Sequence, residues 1–233
     1  MKTLFTTELF MLFITIGIFS IGSHIYTKTK IALLHPLITT IACIVPILYV
    51  LEIDYATYFE KTRMIDFMLG PCIVALGYAM HKQIDYIKGN VIAILCAILV
   101  GSLVGIVSIT IMGVCLDASP EMIVTLEPKS VTTPIALRLS EQYGGNPTLT
   151  ILVVVIVGIS GSIIAPAFLR LIGIKKKMSI GLGTGSCAHG IGTARAMQIG
   201  KVEGAASSLA MGIMGLFTSL LMPLIDWLKS MLL

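Results

Sequence analysis

Apolar residues fill most of this chain in blocks separated by short polar loops. The blocks near 4–24, 31–51, 64–80, 90–115, 147–170 and 204–228 each approach the roughly 20 residues that a helix needs to cross a bilayer. This pattern predicts an all-α polytopic membrane protein of about six to eight transmembrane segments, with residues 1–233 forming a single integral membrane domain. Two stretches depart from it. Segments 128–146 and 179–200 are too rich in Gly, Ser, Thr and Pro to be ordinary spans, and they are read as broken or re-entrant helices. The first apolar block follows Lys2 and ends near small residues, as a signal peptide does, but the many spans after it favour a first transmembrane helix.

Composition agrees with lipid as the main solvent: 56% of residues are hydrophobic and 12% charged, against roughly a quarter charged in soluble domains. No basic run is interleaved with aromatics as a nucleic-acid surface requires. Five cysteines without CxxC spacing, most of them in apolar stretches, point to no disulfide and no metal site, and no cofactor is expected.

Loop charge orients the bundle, because Lys and Arg concentrate on the cytoplasmic side. The loops with Lys28 and Lys30, with His81, Lys82 and Lys88, and with Arg170, Lys175, Lys176 and Lys177 are assigned inside. The loops with Glu52, Asp54 and Glu60, and with Asp117, Glu121 and Glu127, are assigned outside, although Lys61 and Arg63 dilute the first. Between 115–128 outside and 170–177 inside the chain crosses an odd number of times. Segment 147–170 supplies one crossing, so 128–146 enters and returns on one side.

A weak internal repeat follows the same plan. Residues 130–145 (SVTTPIALRLSEQYGG) lead into a span with Pro166 near its end, and residues 187–200 (CAHGIGTARAMQIG) lead into one with Pro223 near its end. Units at 128–172 and 180–230 are thus expected to form an inverted repeat, the plan of many secondary transporters.

Within these segments Thr133 before Pro134 reads as a helix N-cap and first helical position, with Gly144 and Gly145 closing the helix. Thr193 reads as the cap of a short helix through Arg195 to Gly200, preceded by bare backbone at Gly181, Gly183, Gly185, Gly190 and Gly192. Two facing helix starts, each with roughly half a positive charge and free N–H groups, suit a carboxylate or similar anion. The expected substrate-binding residues are Lys129, Ser130, Thr132, Thr133, Arg138, Gly185, Ser186, His189, Gly190, Gly192, Thr193 and Arg195. Each also has a structural reading. The glycines permit close helix packing, the hydroxyls bond backbone carbonyls, and the arginines snorkel to the interface. His189 is either a proton-coupling group or a structural hydrogen-bonding residue, and Lys129 either a charge at the outer mouth or a solvated loop residue. GLGTGSCAHG lacks the GK[ST] of a P-loop, and Ser186, Cys187 and His189 have no acidic orienter beside them, so no enzyme is expected.

The residues Pro128-Lys129-Ser130-Val131-Thr132-Thr133-Pro134-Ile135-Ala136, the run from Gly183 to Ala196 (GTGSCAHGIGTARA) and Glu203-Gly204-Ala205 resemble the LrgB/CidB family of bacterial membrane proteins, the antiholin-like or autolysis-modulator group. A third match runs from Gly70-Pro71-Cys72 to His81-Lys82-Gln83, with Gly70 where the family often has an acidic residue. The resemblance implies a multi-pass protein of the bacterial plasma membrane. It also implies one of two roles: transport of small monocarboxylates, as in the related plastid glycolate/glycerate translocators and bacterial pyruvate systems, or regulation of murein hydrolase activity and autolysis with a small LrgA/CidA-like membrane partner. Paired half-helix ends favour the transport role, and homo-oligomerisation stays open.

The topology is testable with single cysteines in a cysteine-free background. A residue placed in 115–128 should label with an impermeant reagent from outside, and one in 170–177 only after permeabilisation. Labelling of both loops from one side would refute the re-entrant segment.

Overall fold

The computed structural model describes residues 7–29, 31, 34–68, 71, 74, 75, 78 and 91–232. The expected span at 64–80, the basic loop after it and the motif beginning at Gly70 lie wholly or largely outside the described residues. Among those described, every regular element is a helix. The chain divides into two compact units, Met1–Val74 and Ala75–Leu233.

The first unit contains α1 (Glu8–Thr29), α2 (Pro36–Val50), α3 (Tyr55–Lys61) and α4 (Arg63–Phe67). His35 starts α2, its Nδ1 accepting from the Leu37 N–H at 3.4 Å, and Pro36 follows where no N–H is needed. Asp54 starts α3, accepting from the Thr57 N–H at 3.0 Å and the Thr57 hydroxyl at 2.6 Å. These bonds, the hydroxyl's first, hold its carboxyl below the usual carboxylate range. The α1 helix lies on α2 at Gly22, where a Cβ would run into the Thr39 side chain, and reaches α3 through the Thr15 and Tyr58 hydroxyls at 2.9 Å.

The second unit contains α5 (Val91–Cys115), α6 (Pro120–Leu126), α7 (Thr133–Gln142), α8 (Pro147–Leu171), α9 (Lys177–Ile199) and α10 (Lys201–Leu232). Its helix boundaries follow from local chemistry. Ser119 and Asn146 cap α6 and α8, each followed by Pro at the first helical position. Gly144 and Gly173 take left-handed φ of 79° and 87° just beyond α7 and α8, so the chain turns back: the Gly145 N–H donates to Ser140 O at 2.8 Å and the Ile174 N–H to Leu169 O at 2.9 Å. The α10 helix packs along α9 and against α5, while α8 packs on α9 and α7. A cluster of Ile94, Ile98, Val131, Ala136, Val154, Leu209, Ala210 and Met214 fills the space among them.

Four described helices, α1, α5, α8 and α10, are long and apolar enough to span a membrane. A fifth span results if α2 and α3, bent by 117°, count as one. The expected total of six to eight is therefore corrected to four or five among the described residues. The α2 helix is only 15 residues long, about 22 Å, and ends short of a full crossing. The expected break in 179–200 is present, but its place differs: residues 177–188 are already helical, and the chain departs from helix at His189, with φ 41° and ψ −129°. A Cβ on Gly192 would lie 2.6 Å from both the Thr184 carbonyl and the Ala188 methyl. In a straight helix residues 184 and 192 stand about 12 Å apart, so α9 folds back on itself as a hairpin.

The glycines of the first half of α9 are helical contact points rather than mobile backbone. Cβ atoms at Gly181 and Gly185 would strike the backbone carbonyls of Glu203 and Ser207 on α10. Replacing Gly185 by Ala should therefore cost about 1–3 kcal/mol, since backbone must move. Gly101→Ala, with open space around it, should be neutral or stabilise by up to about 1 kcal/mol. Thermal unfolding of the two variants in detergent checks the contrast.

Candidate functional site

In the first broken segment the N-cap is Thr132, one residue before the expected Thr133, with Pro134 in the first turn, and no side chain caps the helix. The reason is local: Thr132 has extended backbone (φ −66°, ψ 146°), and its carbonyl already accepts from Ile135 and Ala136. Among the described residues the hydroxyls of Ser130, Thr132 and Thr133 make no hydrogen bond within the protein, and all three residues are half-buried. Lys129 reaches inward: its ammonium donates to Gly105 O of α5 at 3.0 Å and pairs with no carboxylate among the described residues. That bond ties the side chain to α5 instead of leaving it wholly to solvent.

The other end of α7 is tied to its neighbours by hydroxyl groups. Ser140 and Thr150, both fully buried, join hydroxyls at 2.7 Å. The Thr150 hydroxyl also lies 3.1 Å from Thr125 O, and Thr125 Oγ1 accepts the Asn146 N–H at 2.8 Å. One hydroxyl network thus joins α6, α7 and α8. In lipid, where water is absent, such pairing is what lets short helices persist.

In the second broken segment His189 and Thr193 are hydrogen-bonded, whereas the Ser186 hydroxyl makes no hydrogen bond among the described residues. His189 Nε2 donates to Val154 O of α8 at 3.0 Å, and its imidazole lies over Gly158, where a Cβ would stand 2.7 Å from the ring. A carbonyl only accepts, so the proton sits on Nε2. The Thr193 hydroxyl bonds the Ser207 hydroxyl of α10 at 3.0 Å, which ties the second half of α9 to α10 instead of capping a free helix start. Gly185 and Gly192 make the close contacts described above, Gly190 lies on Met211, and Ser186 is half-buried. Arg138 and Arg195 stand apart from these groups. Arg138 is 82% exposed and pairs with Glu141 at 3.4 Å, and Arg195 donates to Gln198 at 3.1 Å.

Both broken segments reach the same helix. They share one face of α10: the first turn of α7 packs with Ile135 on Gly215, and the α9 break packs with Gly190 on Met211, one helical turn away. Met214 approaches Gly105, the residue that holds Lys129.

One polar pair was not legible in the sequence. Glu127, with a side chain 1% exposed, receives Lys229 on both carboxylate oxygens at 3.0 Å, and the Thr110 hydroxyl donates to Oε1 at 2.7 Å. Asp226 lies 3.6 Å from the same ammonium. The partners are 102 positions apart, so no local spacing signals them. The pair fastens the C-terminal end of α10 to the residue before Pro128-Lys129. A cavity of about 330 Å³ beside it, lined partly by Glu121, Tyr143, Asp226 and Lys229, contains none of the expected site residues.

Apolar spans, a hairpin-folded helix and a bare-ended short helix define a helical membrane protein with polar groups concentrated at broken segments. The chain matches the LrgB-like family over residues 15–228 and belongs to it. It is 31% identical to the uncharacterized protein YxaC of Bacillus subtilis over 94% of this chain and 95% of that one. It is 29% identical to the holin-like protein CidB of Staphylococcus epidermidis over 92% of this chain and 94% of that one. With the holin-like protein CidB of Staphylococcus aureus the identity is 27%, over 95% and 96% of the two chains. No solved structure matches.

Removing Lys229 strands a buried carboxylate. Lys229→Ala should cost about 3–5 kcal/mol, and the double variant Glu127→Gln with Lys229→Met should recover most of it. A double-mutant cycle of unfolding midpoints measures the coupling. Additive losses would show that the pair contributes nothing.

Proposed function

We propose that this protein is a carrier for small monocarboxylates such as glycolate, glycerate or pyruvate, residing in the bacterial plasma membrane and acting without chemical change to its substrate. The observation that supports this most is the asymmetry of α7. Its C-terminal end is bonded into the Thr125–Ser140–Thr150 network, whereas its N-terminal end has three unbonded hydroxyls and no side-chain cap. Lys129 adds a basic side chain that pairs with no carboxylate among the described residues. An intramembrane cation lacking its counter-charge is complemented by an anionic ligand, and a carboxylate accepts from both ammonium and hydroxyl donors. In this reading Lys129, Ser130, Thr132 and Thr133 contact the substrate, while His189, Thr193 and the α9 glycines set the position of the second segment. The units at 128–172 and 180–230 move as an inverted pair about the shared face of α10.

A second reading rests on the relatives named holin-like protein CidB. In it the protein acts as an antiholin-like regulator of murein hydrolase activity and autolysis, together with an LrgA/CidA-type partner. The two readings separate in reconstituted vesicles.

With an LrgA-like partner supplied, proteoliposomes should take up pyruvate or glycolate. Lys129→Met should abolish uptake, and Thr133→Val should weaken apparent affinity roughly tenfold, the equivalent of one hydrogen bond to a charged ligand. Arg138→Gln should leave uptake unchanged. If wild-type vesicles move no such anion while the protein still alters lysis in cells, the regulatory reading replaces the carrier.

A further inference from the structure

The hairpin in α9 brings two turns of the second unit to one end. Gly183 of α9 lies against Leu169 near the close of α8, and a Cβ on Gly181 would strike the backbone of Glu203 in the first turn of α10. A Cβ on Gly204 would strike Met197, so the last turns of α9 stand beside the same start. The α8–α9 turn, with Arg170, Lys175, Lys176 and Lys177, is therefore joined by the α9–α10 turn with Lys201. All five residues are exposed, and none makes an ion pair among the described residues. From residue 147 to residue 225 the single acidic residue is Glu203, which is buried with its carboxylate against Gly200. Carboxylates gather instead at the opposite end of α10, where Glu127 and Asp226 flank Lys229. Like charges brought together repel one another unless a counter-charge meets them.

Apolar side chains accompany these charges. Directly after Arg170, Leu171 is 83% exposed and Ile172 55%. The α8 helix that ends there is long and apolar enough to cross a bilayer, so its end falls at the headgroup layer.

We propose that this end of the second unit is a binding surface for anionic phospholipid headgroups. Arg170, Lys175, Lys176, Lys177 and Lys201 meet the phosphates, while Leu171 and Ile172 enter the acyl boundary beside them. Ammonium and guanidinium groups donate to phosphate oxygens, and a zwitterionic headgroup brings its own cation, so the surface selects lipids of net negative charge. A soluble acidic partner would meet the charges alone, whereas a lipid meets both the charges and the adjoining apolar side chains. Lipid touching both turns holds the start of α9 against the start of α10, the contact that the missing side chain of Gly181 makes close.

Titration of the full-length protein in nonionic detergent with phosphatidylglycerol, read as retained lipid by native mass spectrometry, tests this without any transport assay. Phosphatidylglycerol should be retained over phosphatidylcholine of the same chains, and high salt should reduce the preference by screening. Each basic residue near the lipid contributes about fivefold in affinity, so Lys175→Gln with Lys201→Gln should weaken phosphatidylglycerol binding about 25-fold. The pair Lys175→Arg with Lys201→Arg should keep it, as should Arg138→Gln, which removes an exposed charge on α7. Unfolding midpoints without added lipid should be equal for wild type and the Gln pair, and phosphatidylglycerol should raise that of wild type more. Equal retention of the two lipids by wild type overturns the proposal, as does equal phosphatidylglycerol affinity of wild type and the Gln pair. Soluble glycerol phosphate should bind far more weakly than the lipid. If it binds wild type as tightly, the surface is a free-anion site and the lipid proposal is overturned.

Discussion

The bond from His189 Nε2 to the Val154 carbonyl fixes where α9 stops being a straight helix, and the arrangement of the second unit depends on it. At φ 41° His189 occupies backbone space that L-residues rarely adopt, at a cost of order 1–3 kcal/mol. That conformation persists because the surroundings over-determine it. Gly158 leaves room for the ring, Val154 accepts its proton, and Ala188 packs on Gly161. With the turn fixed there, Gly192 falls against Thr184, Thr193 reaches Ser207, and the two halves of α9 lie beside α10. A straight α9 would keep none of these contacts together.

The broken character of both segments was legible because Gly, Ser, Thr and Pro in an otherwise apolar chain are poor material for an ordinary span. The place of the break was not. Glycine density pointed to residues before Thr193, but Gly181 and Gly185 serve α10 through their missing side chains, and the chain turns at a histidine with Gly190 next to it. A sequence shows that a glycine is small, not whether smallness serves a bend or a neighbour. The cap of α7 was placed one residue late for a related reason. Thr132 and Thr133 are chemically alike, and only the backbone at Thr132, extended rather than helical, separates them.

The arginines show the limit of reading charge from position alone. Arg138 and Arg195 fall in the half-helices, as a ligand-binding cation would, yet each turns along its own helix to a neighbour three residues on. Lys129, in contrast, lies in a polar-looking motif but extends into the bundle. The Glu127–Lys229 pair and the Thr125–Ser140–Thr150 network were invisible for a different reason: their members are ordinary residues whose role comes from contacts between separate helices. Bonds of this kind tie one end of α7 to its neighbours and leave the other without a side-chain cap.

The inward reach of Lys129 also has an electrical consequence. Glu127 and Lys229 cancel as a pair, so a membrane potential exerts little net force on them, whereas Lys129 pairs with no carboxylate among the described residues. In the proposed carrier a bound monocarboxylate would neutralise an ammonium at Lys129, so a loaded site crossing the membrane would transfer no net charge. The empty site would carry its charge alone, and each 100 mV across the membrane would then act on it with about 2.3 kcal/mol for a full crossing. Under that proposal voltage would act on the return of the unloaded protein, leaving the loaded step nearly insensitive to it.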